Sequence, residues 1–216
     1  MSARRTFEVH EGCFFGISLQ NSNFAPKKLH SMLTWISRRF DQCTVLVGDS
    51  IHRITLESTS SLAEPEATEA ALRMGSDFLR DSRDLFDSVR DTVDLTFLRC
   101  SEVQQWVDYA HLHKELRQHW ETDPAFRASV EGFARRYHES HAPDAERGQL
   151  DYRIRRSCEY FLEEFAIFAC LRRRGLRVMV YPGSFSTLSE ITRGEHVGTP
   201  KELQELIIVS LSLKGK

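Results

Sequence analysis

Two short apolar runs, Cys13-Phe14-Phe15-Gly16-Ile17 and Cys43-Thr44-Val45-Leu46-Val47, flank one amphipathic stretch, and that order constrains the fold more than any other feature of the chain. A continuous apolar run is what a strand buried on both faces of a parallel sheet requires. Between the runs, Pro26 stands at a helix start, and Leu29, Met32, Leu33, Ile36 and Phe40 recur at helical spacing with Trp35 beside them. Strand, helix, strand in this order is a βαβ unit, so the two strands pair in parallel. Further strands are expected over Leu95–Leu98, Arg177–Tyr181 and Leu206–Leu213. A long helix is expected within 68–91, its apolar face made of Leu72, Phe78, Leu79, Leu85, Phe86 and Val89. Helices are also expected over 102–141, with a break at Thr122-Asp123-Pro124, and over 150–174, where Gly175 ends the run. Segments 57–67 and 141–149 read as exposed connections, and Thr199-Pro200 as the opening of a short helix. The fold class is α/β: a Rossmann-like, mostly parallel sheet flanked by helices.

With 216 residues, 41% hydrophobic and 28% charged, the chain has the composition of a folded protein with one sizeable core, so a single domain over 1–216 is expected. A formal charge of -2 supplies no overall field for a polyanion, and nucleic-acid binding would need a local basic patch. Cys13, Cys43, Cys100, Cys158 and Cys170 are odd in number and set among apolar neighbours, which reads as reduced core thiols. The opening segment MSARRTFEVHEG has no apolar stretch of signal-peptide length, and no apolar run approaches the roughly 20 residues that span a bilayer, so a cytoplasmic location without membrane attachment is expected. His111, His113, His119, His138 and His141 fall on separate faces or loops; solvated histidines, and no metal site, are expected of them.

In open α/β sheets ligands bind beyond the carboxyl ends of the strands. Gly16-Ile17-Ser18, Asp49-Ser50 and Tyr181-Pro182-Gly183 occupy such positions. Without a Cβ, Gly16 lets a substrate carbonyl approach beside the Ser18 hydroxyl, although a serine at a strand end is more often an ordinary turn or N-cap residue than a nucleophile. Tyr160 and Glu164 are four apart on one helix face and can share a ligand; local helix support is the simpler reading of such a pair. Their neighbours Phe161, Leu162, Phe165, Ile167 and Phe168 make a carboxylate there costly unless a cation or hydrogen-bond donors meet it. No Gly-x-Ser-x-Gly elbow is present, which disfavours an ordinary serine hydrolase.

Taken in order, Gly16-Ile17-Ser18-Leu19-Gln20-Asn21-Ser22 with Phe24, then Leu29, Met32, Leu33, Trp35 and Phe40, then Val45-Leu46-Val47 with Asp49, then Tyr160 with Glu164, and finally Val180-Tyr181-Pro182, this sequence resembles the tRNA-dependent cyclodipeptide synthases. The landmarks span most of the chain. The resemblance implies a fold like the catalytic domain of class Ic aminoacyl-tRNA synthetases, with two already charged tRNAs as substrates, no cofactor and a monomeric enzyme. It also implies that Ser18 accepts an aminoacyl group, that Glu164 and Tyr160 hold its amino group, and that Tyr181 relays protons. A second aminoacyl-tRNA then gives a dipeptidyl-enzyme that cyclises to a 2,5-diketopiperazine, a ping-pong course. Asn21 matches one subfamily and Tyr181-Pro182 the tyrosine-proline subfamily, which the resemblance favours because its first marker position is variable. By positional similarity Phe14, Leu46, Cys100, Phe133, Ile167 and Met179 line the first amino-acid pocket, beside Gly16 and Asn21. Core filling is the competing reading of the same apolar residues; as a pocket they would suit a bulky apolar or aromatic residue. For tRNA, Arg73, Arg80, Arg83 and Arg90 gather within about 100° of arc on one continuous helix, beside an arc of Asp77, Asp81, Asp84, Asp87 and Asp91. The alternative function is a non-catalytic tRNA-binding module with the same fold.

Overall fold

The computed structural model of the protein describes residues 7–60, 62–141, 147–183 and 186–212. Its strands are β1 (Gly12–Ile17), β2 (Gln42–Val47), β3 (Asp94–Arg99), β4 (Val178–Pro182) and β5 (Ile207–Leu211). They form one sheet in the order β3-β2-β1-β4-β5, with every neighbouring pair parallel. This is the expected Rossmann-like arrangement. The strand order reverses between β1 and β4, and there the pairing is short, Phe14 with Met179 and Phe15 with Val180. Past Phe15 and Val180 the two strands are no longer paired, which leaves a crevice at their carboxyl ends.

Side chains alternate along each strand and so divide the core in two. Cys13, Phe15, Val45, Val47, Val178 and Val180 pack with helix α1 (Pro26–Ser37) on one side. Phe14, Leu46 and Met179 face the other side, where the long helix α8 (Arg147–Arg173) is buried from Leu162 to Leu171. A helix apolar around most of its circumference belongs inside the molecule, which is why a 27-residue helix can run through this layer. Helices α5 (Cys100–Val103), α6 (Val107–Thr122), α7 (Pro124–His141), α9 (Ser186–Thr192) and α10 (Lys201–Gln204) contribute to the same layer. The five cysteines are free and buried, as expected. Among the described residues no helix is long and apolar enough to cross a membrane.

Three expectations need correction. Residues 57–60 belong to a helix, α2 (His52–Ser60), and α3 (Glu64–Asp81) starts inside the segment read as a connection. α3 does not continue to 91: it stops at Ser82, and the short α4 (Arg83–Asp87) follows. Its buried residues are Ala67, Ala71 and Gly75 rather than large apolar ones, because Ala67 and Ala71 pack with Leu56 of α2 and Gly75 lies against the end of β2, where a Cβ would stand 2.6 Å from Asp49 Cβ. α8 begins at Arg147, within the segment read as a loop; residues 142–146 of that segment, and the end of the expected last strand at Leu213, lie outside the described residues.

Candidate active site

The crevice between β1 and β4 brings together residues distant in sequence. Ser18 follows β1, Tyr181 lies near the end of β4, and Ser18 Oγ stands 2.8 Å from Tyr181 Oη. A Cβ on Gly16 would lie 3.4 Å from Tyr181 Cδ2, in contact with the ring, so the glycine leaves the space between ring and strand open. From α8, Tyr160 borders the same cavity with its hydroxyl near the Ser18 side chain, and burial with Glu164 nearby raises its phenol well above the ordinary value. Glu164, one helical turn on, is 7% exposed. Its Oε2 has no hydrogen-bond partner among the described residues, and burial pushes the carboxyl up to about 8. A carboxyl in this state is a receptor in want of a cation or a donor.

Two cavities meet at this group. The larger, of about 750 Å³, is bordered by Ser18, Asn21, Phe133, Tyr160, Glu164 and Tyr181. Its outer wall carries Thr55, Ser58 and Thr59 from α2 and Arg153 and Ser157 from α8. The smaller lies beneath Ser18 between Gly16, Leu46, Ile51, Cys100, Phe168 and Glu164, and its free volume of about 10 Å³ has room for roughly one water molecule.

Of the residues singled out from the sequence, Ser18, Tyr160, Glu164, Tyr181, Gly16, Asn21, Leu46, Cys100 and Phe133 border these cavities. Phe14, Ile167 and Met179 do not: they are 0–1% exposed, and Phe14 packs on Phe168 at 5.6 Å in the core behind the smaller cavity. Asn21 also has a local task, since its side-chain oxygen accepts from Asn23 N at 2.9 Å and caps the 3-10 turn Ser22–Phe24. Asp49-Ser50 is a second correction, for neither borders a cavity. Asp49 is wholly buried; it accepts from Ser50 N, Ser101 N and Ser101 Oγ, pairs with Arg99 at 3.1 Å, and so ties the end of β2 to that of β3. Among the histidines, His119 and His138 are not solvated. His138 is 7% exposed and bonds Ser157 Oγ at 2.8 Å, and His119 stacks on Phe126.

The arginines do not form one helical stripe. Arg73 and Arg80 are on α3, Arg83 opens α4 and Arg90 lies beyond it, because the chain turns at Ser82. All four are exposed, and each has an acidic partner: Arg73 with Glu69, Arg80 with Asp77 and Asp81, Arg83 and Arg90 with Asp87.

Sequence reasoning missed two features of the site. Glu163, beside Glu164, is 7% exposed and takes a two-pronged ion pair from Arg53 together with a hydrogen bond from Gln104 Nε2 at 2.9 Å. His52, at the start of α2, borders the larger cavity and bonds Gln20 Oε1. The signal for the first was present: two adjacent carboxylates in an apolar helix cannot both be solvated.

A family model described as cyclodipeptide synthase matches residues 1–174 of the chain. A cyclo(L-leucyl-L-phenylalanyl) synthase from Streptomyces noursei is 26% identical over 191 residues, covering 88% of this chain and 74% of the relative. Among solved structures, a cyclodipeptide synthase from Fluoribacter dumoffii superposes with a TM-score of 0.81 at 19% identity, covering 95% of this chain and 91% of its own. Another, from Candidatus Glomeribacter gigasporarum bound to Phe-tRNAPhe, superposes with a TM-score of 0.74 at 14% identity, covering 95% and 89%. The family match covers most of the chain, including β1, Ser18, Tyr160 and Glu164, and the fold agrees with it: the chain belongs to the cyclodipeptide synthase family of enzymes.

Proposed function

We propose that this enzyme joins the aminoacyl groups of two charged tRNAs into a cyclic dipeptide through an ester on Ser18. The observation that carries the reading is the convergence of the Ser18, Tyr160 and Tyr181 hydroxyls with the unpartnered Glu164 carboxyl at one crevice. Ser18 Oγ attacks the ester carbonyl of the first aminoacyl-tRNA, and the hydroxyl proton passes to the departing ribose oxygen. Tyr181, 2.8 Å from Oγ, is the group through which that proton moves. Glu164 receives the α-amino group of the bound residue: as a carboxylate it pairs with the ammonium, and by taking up a proton it releases the amine as a nucleophile. That amine attacks the carbonyl of the second aminoacyl-tRNA, the second tRNA leaves, and a dipeptidyl ester remains on Ser18. The new terminal amine then attacks the Ser18 ester, which closes the diketopiperazine ring and restores the hydroxyl. No cofactor enters any step.

The slot beneath Ser18 takes the first side chain. As it stands it suits a short one, so the bulky residue expected from the apolar lining would require Phe168 or Ile51 to move. The larger, more polar cavity receives the second aminoacyl group, having the room that the slot lacks. Tyr181-Pro182 is the basis for placing the chain in the tyrosine-proline subfamily. Mixing the enzyme with charged tRNAs and analysing by mass both the product and the intact protein tests the reading. A diketopiperazine together with an aminoacyl adduct, both lost in S18A, is expected; a product made without the adduct would overturn the ester.

A further inference from the structure

Gln20, two residues after Ser18, has φ +59°, the left-handed value that a side-chain-bearing residue adopts only at a cost in free energy, and among the described residues no other non-glycine has a positive φ. Strain beside a reacting group persists only where the surroundings hold it. Leu19 is buried in the core at 7% exposure, and Asn21 is engaged in its own cap. Gln20 itself is exposed, and its side-chain oxygen reaches His52 Nε2 at 3.2 Å. His52 is 4% exposed and borders the same cavity as Ser18 and Glu164. Burial lowers its imidazole to about 4, so at neutral pH the ring is uncharged. Because an amide oxygen only accepts, Nε2 carries the proton. The next residue, Arg53, is clamped to Glu163 beside Glu164. One contact path therefore runs from the carboxylate helix through α2 to the turn that carries Ser18.

We propose that His52 is a positioning residue: its imidazole holds Gln20 in the left-handed conformation and thereby sets where Ser18 Oγ meets the substrate carbonyl. The inference rests on Ser18 being the acylated residue. His52 touches Gln20 and not the reacting atoms, so its loss slows acylation and leaves binding of charged tRNA nearly unchanged.

Gln20 is exposed, so its replacement leaves the core intact and the decisive comparison lies there. Q20A removes the acceptor and keeps the Cβ that disfavours positive φ, whereas Q20G removes both. In single-turnover measurements of aminoacyl-Ser18 formation, Q20A and H52A should each slow acylation by about tenfold or more with KM altered less than about twofold. H52Q, which offers an amide N–H, should restore much of the rate. Q20G should recover most of what Q20A loses, and H52A should cost far less in the Q20G background than alone. Equal rates for Q20A and Q20G, or an undiminished H52A effect in Q20G, would overturn the positioning role. An adduct that persists in S18A would instead overturn the nucleophile assignment, whatever the Gln20 variants do.

Discussion

Arg53 and Glu163 meet as a two-pronged ion pair, Nη1 to Oε2 at 2.9 Å and Nη2 to Oε1 at 2.5 Å, joining α2 to α8 one residue from Glu164. Both groups are largely withdrawn from water, so removing one strands the other. R53M should destabilise the fold by about 3 kcal/mol or more, whereas R53M/E163M should lose less than the sum of the two single changes. Urea midpoints of the four proteins measure this; strict additivity would show that the pair is not coupled.

Glu164 makes stability depend on pH. Its ordinary value is 4.5 and burial raises it to about 8, so across that interval the folded protein holds a proton that the unfolded chain has released. The stabilisation is complete below about 4.5 and is lost as pH rises through about 8. The neutral isostere E164Q should therefore gain in Tm on the parent as pH goes from about 5 to about 9. Parallel Tm profiles would contradict the assignment.

The two tyrosine hydroxyls should separate by role. Y181F removes the 2.8 Å partner of Ser18 and should lower kcat by roughly a hundredfold while an aminoacyl adduct still forms slowly. Y160F removes a hydroxyl near the same oxygen, beside Glu164, and should raise KM as well as lower kcat. Identical effects on both parameters would deny the distinction.

The mass of the aminoacyl adduct on the intact protein reports on the slot beneath Ser18. F168L should admit a larger first residue, and G16A, whose methyl would lie 3.4 Å from Tyr181 Cδ2, should lower turnover by about tenfold without changing the fold. A parent enzyme whose adduct carries only bulky residues would rule out a short-side-chain pocket.

Arg80 and Arg83 are exposed and engaged only in surface ion pairs, which are worth little to stability. R80A/R83A should leave Tm within about a degree, raise KM for charged tRNA several-fold, and flatten the salt dependence of KM by about one to two in log–log slope. An unchanged salt slope would remove this face from the tRNA path.

What the sequence reveals about this fold follows how much apolar surface each element buries. β1, β2 and α1 are legible because Phe14, Phe15, Val45, Leu46 and the Leu29–Ile36 face repeat at strand and helix periods. α2 is not, for its HRITLESTS is rich in threonine and serine and reads as loop; Thr55, Ser58 and Thr59 instead edge the larger cavity. α3 hides its buried side for a related reason, since Ala67, Ala71 and Gly75 contribute closeness of approach rather than hydrophobicity. Ser18, Glu164 and Tyr181 become candidates from their places at strand ends and on an apolar helix, and only the family resemblance singles them out from ordinary turn and helix residues. Glu163 and His52 act through partners 110 and 32 residues away, and no local pattern encodes such partners.

Ser18 and Tyr181 are 163 positions apart, on strands that share only two paired residues. During synthesis Ser18 is therefore in place long before the strand that brings Tyr181 to it, and the crevice is completed only when nearly the whole chain has been made.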